Sequence, residues 1–297
     1  MQKSSADIGI VAFFLKNFSK FFIVNVICSL TVYVFFVIYY TVFTNNGVLV
    51  EYFRFSENLI GNISALLLNR ASMNEYIDFM MIQPVHLAAF ILNVLAVAWY
   101  MRVNFICMSE ILQPDSLQKS PLKLVFKAFG IRLFVYFYSL LGFILFVFLG
   151  SFLINIVLWF CFDLNDTNEY IGLIAGGLIA GYFAMRYVLV FPFIYFKQNQ
   201  VDKSLRYSAV IMRFKSRVNA LVASVVILIV NMIVLRLLLL ASLNYSIENK
   251  VVINCIGLFY NAILYGFIFS GIGLVAARRS IQQQNDTGLS IESHFVE

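Results

Sequence analysis

The residues best suited to chemistry in this 297-residue chain are arginines. Arg102, Arg186 and Arg278 each stand near the end of a long apolar run, in "VLAVAWYMR", "LIAGYFAMR" and "GIGLVAARR". A guanidinium presents a rigid fork of donors that matches a phosphate or a carboxylate through two parallel hydrogen bonds. At the edge of a hydrocarbon layer it has two uses: it anchors its helix by snorkelling to the headgroups, or it binds a lipid phosphate in a cleft between helices. Arg102 and Arg186 together are the candidates for the second use. Arg236, eighteen residues after Val218 and so about 27 Å along a helix, reads as an anchor at the opposite interface.

Other chemistry is poorly provided for. There are two histidines, His86 and His294, and no HExxH, GxSxG, Walker-type loop or Cys/His metal spacing. Cys28, Cys107, Cys161 and Cys255 fall in or at the edges of apolar runs without a CxxC, which reads as small buried hydrophobes, not as a disulfide framework or metal site. All fifteen Asp and Glu lie outside the apolar runs. Proton- and cation-coupled transporters commonly hold a carboxylate within the membrane, although Na⁺ can also be bound by carbonyls and hydroxyls at broken helices. No catalytic residue, metal or cofactor is therefore expected.

What positions the arginines is a membrane. The chain is 62% hydrophobic and 12% charged, whereas a soluble domain is roughly 45–50% apolar and roughly 25% charged. A span needs about 20 apolar residues. Six runs qualify, at about 21–43, 85–107, 131–160, 171–196, 218–243 and 251–277, giving an all-α transmembrane domain over 1–280 and a polar tail over 281–297. The first run is too long for a signal peptide and reads as a retained span. Lys and Arg divide 16 against 3 between the two sets of connections, which puts both termini in the cytoplasm. The net charge of +6 is then a property of the cytoplasmic face. Anionic headgroups account for it at about 1 kcal/mol per basic residue, without a nucleic-acid partner.

Each odd-numbered span follows a short basic and apolar segment: "DIGIVAFFLKNFSKFF", "SPLKLVFKAFGIRLF" and "DKSLRYSAVIMRFKSRV". Lys16 and Lys20, and likewise Lys123 and Lys127, are four apart and so share a helical face. These segments are expected as amphipathic helices in the inner interface, with Ser120 before Pro121 and Asp202 as helix caps. The unit of interfacial helix, span out, span back and inner Arg thus occurs three times. In the first outer loop, 44–84, Val48, Tyr52, Phe55, Leu59, Ile63 and Leu66 recur at helical spacing. That helix is either a cap over headgroups and bundle or a docking surface for a membrane or periplasmic protein.

Small residues mark helix contacts. Gly172, Gly176, Ala180 and Ala184 are four apart, Gly177 and Gly181 form a second such pair, and Gly266–Ser270 repeats the spacing in the sixth span. Asn93, Asn231, Asn254 and Asn261 are expected to hydrogen-bond between helices. Pro192 is expected to end or kink the fourth helix near the interface.

The stretch "AMRYVLVFPFIYFKQNQVDKSLRYSAVIM" resembles the bacterial YciC-like inner-membrane proteins, and the membrane domain found beside some glycerophosphoryl diester phosphodiesterases. Arg186, Pro192, the turn Lys197–Val201, and Ser204, Leu205 and Ser208 carry the resemblance; Lys203-Ser204 departs from it where an Ala is common. It covers all six spans loosely and is specific only from Ala184 to Met212. It implies a six-span bacterial inner-membrane architecture and little about function, and the phosphodiesterase activity is not carried over. The resulting expectation is a non-catalytic protein that handles or organises lipid or supports envelope proteins, with a transporter or permease as the alternative.

Overall fold

Hydrocarbon offers backbone groups no water, so a spanning chain must satisfy its own N–H and C=O groups, as a helix does. The computed structural model describes residues 9–43, 84–112, 120–162, 169–196, 201–244 and 247–287, and among these there is no strand. The helices are α1 (Ile10–Lys16), α2 (Phe18–Phe43), α3 (Pro84–Leu112), α4 (Pro121–Lys127), α5 (Ile131–Phe162), α6 (Glu169–Ala184), α7 (Val190–Phe196), α8 (Val201–Ile211), α9 (Phe214–Asn244) and α10 (Ile247–Thr287). Six segments are long and apolar enough to cross a membrane: Phe18–Phe35, Phe90–Leu112, Ile131–Leu158, Ile174–Tyr195, Phe214–Asn231 and Cys255–Arg278. The protein is a multi-pass membrane chain, helical wherever its spans are described. The expected loop helix within 44–84 falls almost wholly outside the described residues, as do positions 288–297 with His294.

Several local expectations are corrected. The fourth span is in two pieces, α6 and α7, separated by a 3-10 turn at Met185–Tyr187 and a turn at Val188 and Leu189. Of the two expectations for Pro192, an end or a kink, the helix does not end there: Pro192 is buried inside α7 and the interruption lies just before it. The break comes before it because Pro192 has no N–H for the Val188 carbonyl, and its ring crowds that carbonyl. Lys16 closes α1 while Lys20 lies in α2, so the two do not share one helix. Asp202 lies in the first turn of α8 and is not its cap; there a carboxylate favours the helix dipole. Ser120 and Pro121 do occupy the cap and first-turn positions of α4, without a side-chain capping bond. The 41-residue α10 carries helix through 281–287, expected as tail, and is about 62 Å long.

The core is centred on α3, where every residue from Val103 to Met108 is buried. It packs against α2, α5 and α10. Helix α2 runs antiparallel to it, with Asn25 opposite Asn104 and Ser29 opposite Tyr100. Helix α10 runs parallel, with Tyr265 stacked on Tyr100 at 4.5 Å and Phe269 edge-on to Phe105. Gly266 and Gly273 let these backbones close: a Cβ at Gly273 would stand 2.7 Å from Met108 Sδ, and one at Gly266 3.2 Å from Asn25 Nδ2.

Helices α5 and α6 form the other large pair. Ala180 and Ala184 are buried, a Cβ at Gly150 would meet that of Ala180 at 3.5 Å, and Gly177 faces Ser151. A Cβ at Gly181 would instead stand 3.1 Å from Leu221 Cδ1 of α9, which makes one flank of the small-residue stripe a crossing point for the fifth span. Gly176 is buried in α6, and Gly172 lies near its start. No residue of Phe214–Asn231 is buried, and Val226 and Ile229, like Ile233 beyond them on α9, are exposed. In a bilayer these face lipid.

Gly273→Val is expected to force α10 from α3 and to cost about 1–3 kcal/mol, as overpacking does. Gly142, where a Cβ would meet nothing within 4 Å, is the control. Thermal unfolding in detergent should show a lowered midpoint for Gly273→Val and an unchanged one for Gly142→Val.

Candidate functional site

Polar groups in this bundle gather where helices meet or break. Between α2 and α3, Asn25 and Asn104 are fully buried and form a reciprocal amide pair, each Nδ2 donating to the other's Oδ1 at 2.8 Å. Each amide also donates one turn back along its own helix, to Phe21 O and Tyr100 O. One turn further along α2, Tyr100 Oη donates to Ser29 Oγ at 2.7 Å. The four asparagines expected as links did not include this pair. Of those four, Asn231 accepts from Tyr260 Oη at 3.2 Å, between α9 and α10.

Arg102 is 8% exposed. Its Nη1 reaches Gly130 O at 3.5 Å and its Nη2 reaches Lys127 O at 3.4 Å, the carbonyls of the elbow between α4 and α5. Trp99, one turn earlier, donates from Nε1 to Val125 O at 3.4 Å and sets its ring edge-on to Phe129. A cation beside the C-terminal carbonyls of α4 complements the helix dipole. Arg102 is thus a clamp on the next short helix. Farther along α3, Ser109 shares a 2.9 Å hydrogen bond with Tyr195 of α7. Tyr136 lies between these groups, within electrostatic reach of Arg102, Arg132 and Tyr195, and its hydroxyl has no hydrogen-bond partner among the described residues.

Arg186 has different surroundings. It is exposed in the 3-10 turn, its guanidinium 6.0 Å from the Tyr187 ring centroid. That turn packs against α6, α8 and α9, whereas Arg102 reaches the carbonyls between α4 and α5, so the two arginines make different contacts. The helix break frees carbonyls, and α8 satisfies one: Ser208 Oγ donates to Arg186 O at 2.7 Å. Ser204, one turn earlier on α8, is fully buried with its hydroxyl unpartnered among the described residues. The serine face of α8 therefore docks on the break, while Asp202, Lys203, Arg206 and Val210 remain exposed. Arg278 is half-buried on α10, and Ser270 is buried with its hydroxyl on Phe267 O.

A docking pattern connects these contacts. Helix α4 packs on α2 and, less extensively, on α3, α8 packs on α7 and the 3-10 turn, and α1 packs on α10. On α1, Phe13 and Phe14 point inward, Phe14 lying edge-on to Phe267, while Val11 and Leu15 are exposed. Beside α8, Arg217 holds the elbow into α9 by donating from Nε to Met212 O at 2.6 Å, with its Cζ 5.7 Å from the Tyr182 ring centroid. Neither Tyr182 nor Arg217 stands out in the sequence, because their pairing requires knowing that α6 and α9 cross at Gly181.

Cys28 and Cys107 are buried as expected of small hydrophobes, whereas Cys255 is exposed on α10. Among the described residues no group of His, Cys, Asp and Glu has the geometry to hold a metal ion. Comparison with protein-family models, curated proteins and solved structures finds no match.

Replacing Asn25 or Asn104 singly with Leu should destabilise by about 1–3 kcal/mol, because the remaining amide is left buried without its partner. The double replacement should be less harmful than the sum of the two. Thermal unfolding of the four proteins in a double-mutant cycle measures this coupling.

Proposed function

We propose that the chain is a non-catalytic bacterial inner-membrane protein that organises or handles anionic lipid at its cytoplasmic face. One observation carries the reading: each short helix docks one face on the bundle and leaves basic and apolar side chains together on the other. The exposed sets are Lys16 with Val11 and Leu15, Lys123 and Lys127 with Leu122 and Phe126, and Lys203 and Arg206 with Val210. This is the composition that lies in a headgroup layer, where apolar groups enter the acyl boundary and cations meet phosphate. The distribution of Lys and Arg supports a cytoplasmic location for these helices and both termini. The docking of α8 on α7 and of α1 on α10, each against an inward-running span, supports a repeated unit, while α4 lies across both α2 and α3. Kinship with the YciC-like proteins fits the same architecture.

Native mass spectrometry of the protein released from mixed phospholipid tests the reading. Retention of phosphatidylglycerol over phosphatidylcholine is expected, and equal retention of the two would remove the lipid role.

The broken fourth span favours a second reading, a transporter, since interrupted helices expose carbonyls that can coordinate ions. Against it, Ser208 occupies the Arg186 carbonyl and Leu189, Val190, Phe191, Phe193 and Ile194 are buried. Cysteines placed along α6 and α10 decide: a stripe reactive to membrane-impermeant thiol reagents at helical spacing supports a permeation path, and uniform protection excludes it.

A further inference from the structure

We propose that the headgroup phosphate of an anionic phospholipid binds at the junction of α6, α8 and α9, between Arg186 and the elbow Arg213–Arg217. This rests on the lipid reading above and assigns it a place. The crossing of α6 and α9 sets the geometry. Tyr182, near the end of α6, meets the start of α9: its ring centroid is 5.8 Å from that of Phe214 and 5.7 Å from Arg217 Cζ. Met185 accepts from Ser224 across the same crossing at 3.9 Å. Ser208, five residues before Arg213, donates to Arg186 O at 2.7 Å, and the turn Met185–Tyr187 packs against both α8 and α9, so Arg186 lies on the side of the α8–α9 elbow where Arg213 and Lys215 are exposed.

Among the described residues these cations lack counter-charge. Among the described residues no carboxylate pairs with Arg186, Arg213, Lys215 or Arg217, and Asp202, the acid on adjoining α8, is exposed and pairs with none of them. Like charges gathered near a low-dielectric layer repel, so the arrangement favours an anion from outside the chain. Arg217 is already oriented: Met212 O accepts from its Nε and its Cζ lies over Tyr182, which leaves the rest of its five donors for a phosphate.

The surroundings select a lipid over a free anion. Phe214 is 71% exposed and Phe183 52% exposed beside the cations. Such side chains suit acyl chains and offer nothing to a soluble phosphate.

The test is native mass spectrometry of the full chain with phosphatidylglycerol as probe and phosphatidylcholine as reference. Arg186→Gln/Arg213→Gln removes two exposed side chains that hold no helix together, and Lys123→Gln/Lys127→Gln removes equal charge from α4. The expected result is loss of the phosphatidylglycerol preference in the first variant and its persistence in the second, with excess inorganic phosphate displacing no lipid. Equal loss in both variants would overturn the site while leaving the lipid reading intact. No preference in the wild-type protein would overturn both, and displacement by inorganic phosphate would overturn the choice of a lipid. Arg186→Lys/Arg213→Lys, which keeps the charge, should restore part of the preference; a charge-preserving variant as poor as the Gln variant in a protein of unchanged melting temperature also counts against the site.

Discussion

Within hydrocarbon a polar group has no partner except those the chain itself brings, and this constraint governs the bundle. It makes every described span helical. It also explains the placement of the polar side chains that do enter the core. Ser208 supplies the donor for a carbonyl exposed by the break in the fourth span, and Arg102 supplies donors for the carbonyls at the end of α4. Asn25 and Asn104, lacking water, satisfy each other.

Packing follows from the same constraint. Lipid tails are as apolar as leucine, so spans associate through close contact and internal hydrogen bonds more than through expulsion of water. The glycines at 266 and 273 bring α10 onto α2 and α3, and the small residues of α6 bring it onto α5. What is left uncovered is equally informative. Helix α9 touches α6 and α10 along narrow lines and turns most of its apolar surface outward, while the short helices turn mixed basic and apolar faces away from the bundle. The membrane completes the fold on both kinds of surface.

The spans were legible because a bilayer demands long apolar runs, and those runs are unmistakable in a chain of mean hydropathy +0.88. The short helix α4 was legible from Pro121 with Lys123 and Lys127, whereas the spacing of Lys16 and Lys20 runs across the end of α1. The position of the break was in principle readable too: proline disturbs the carbonyl four residues before it, which for Pro192 is Val188, inside the observed turn. Contacts between distant segments were not legible. Asn25 and Asn104 are 79 residues apart, and each sits in an apolar run that gives no hint of its partner. Arg102 and Arg186 end similar sequences, yet one is a buried clamp within a continuous helix and the other an exposed charge in the turn that interrupts the fourth span. The outer helix expected within 44–84 belongs to the sequence reading alone.

The account stands on the short helices sharing one headgroup layer. Spin labels at Val11, Phe126 and Val210, each an exposed apolar position on a different short helix, measure this directly when the protein is reconstituted in anionic bilayers. Relaxation by oxygen and by a water-soluble nickel chelate gives the depth of each label. The account predicts three similar, shallow depths just below the phosphates of one leaflet. Labels in open water, or on opposite sides of the bilayer, would contradict it.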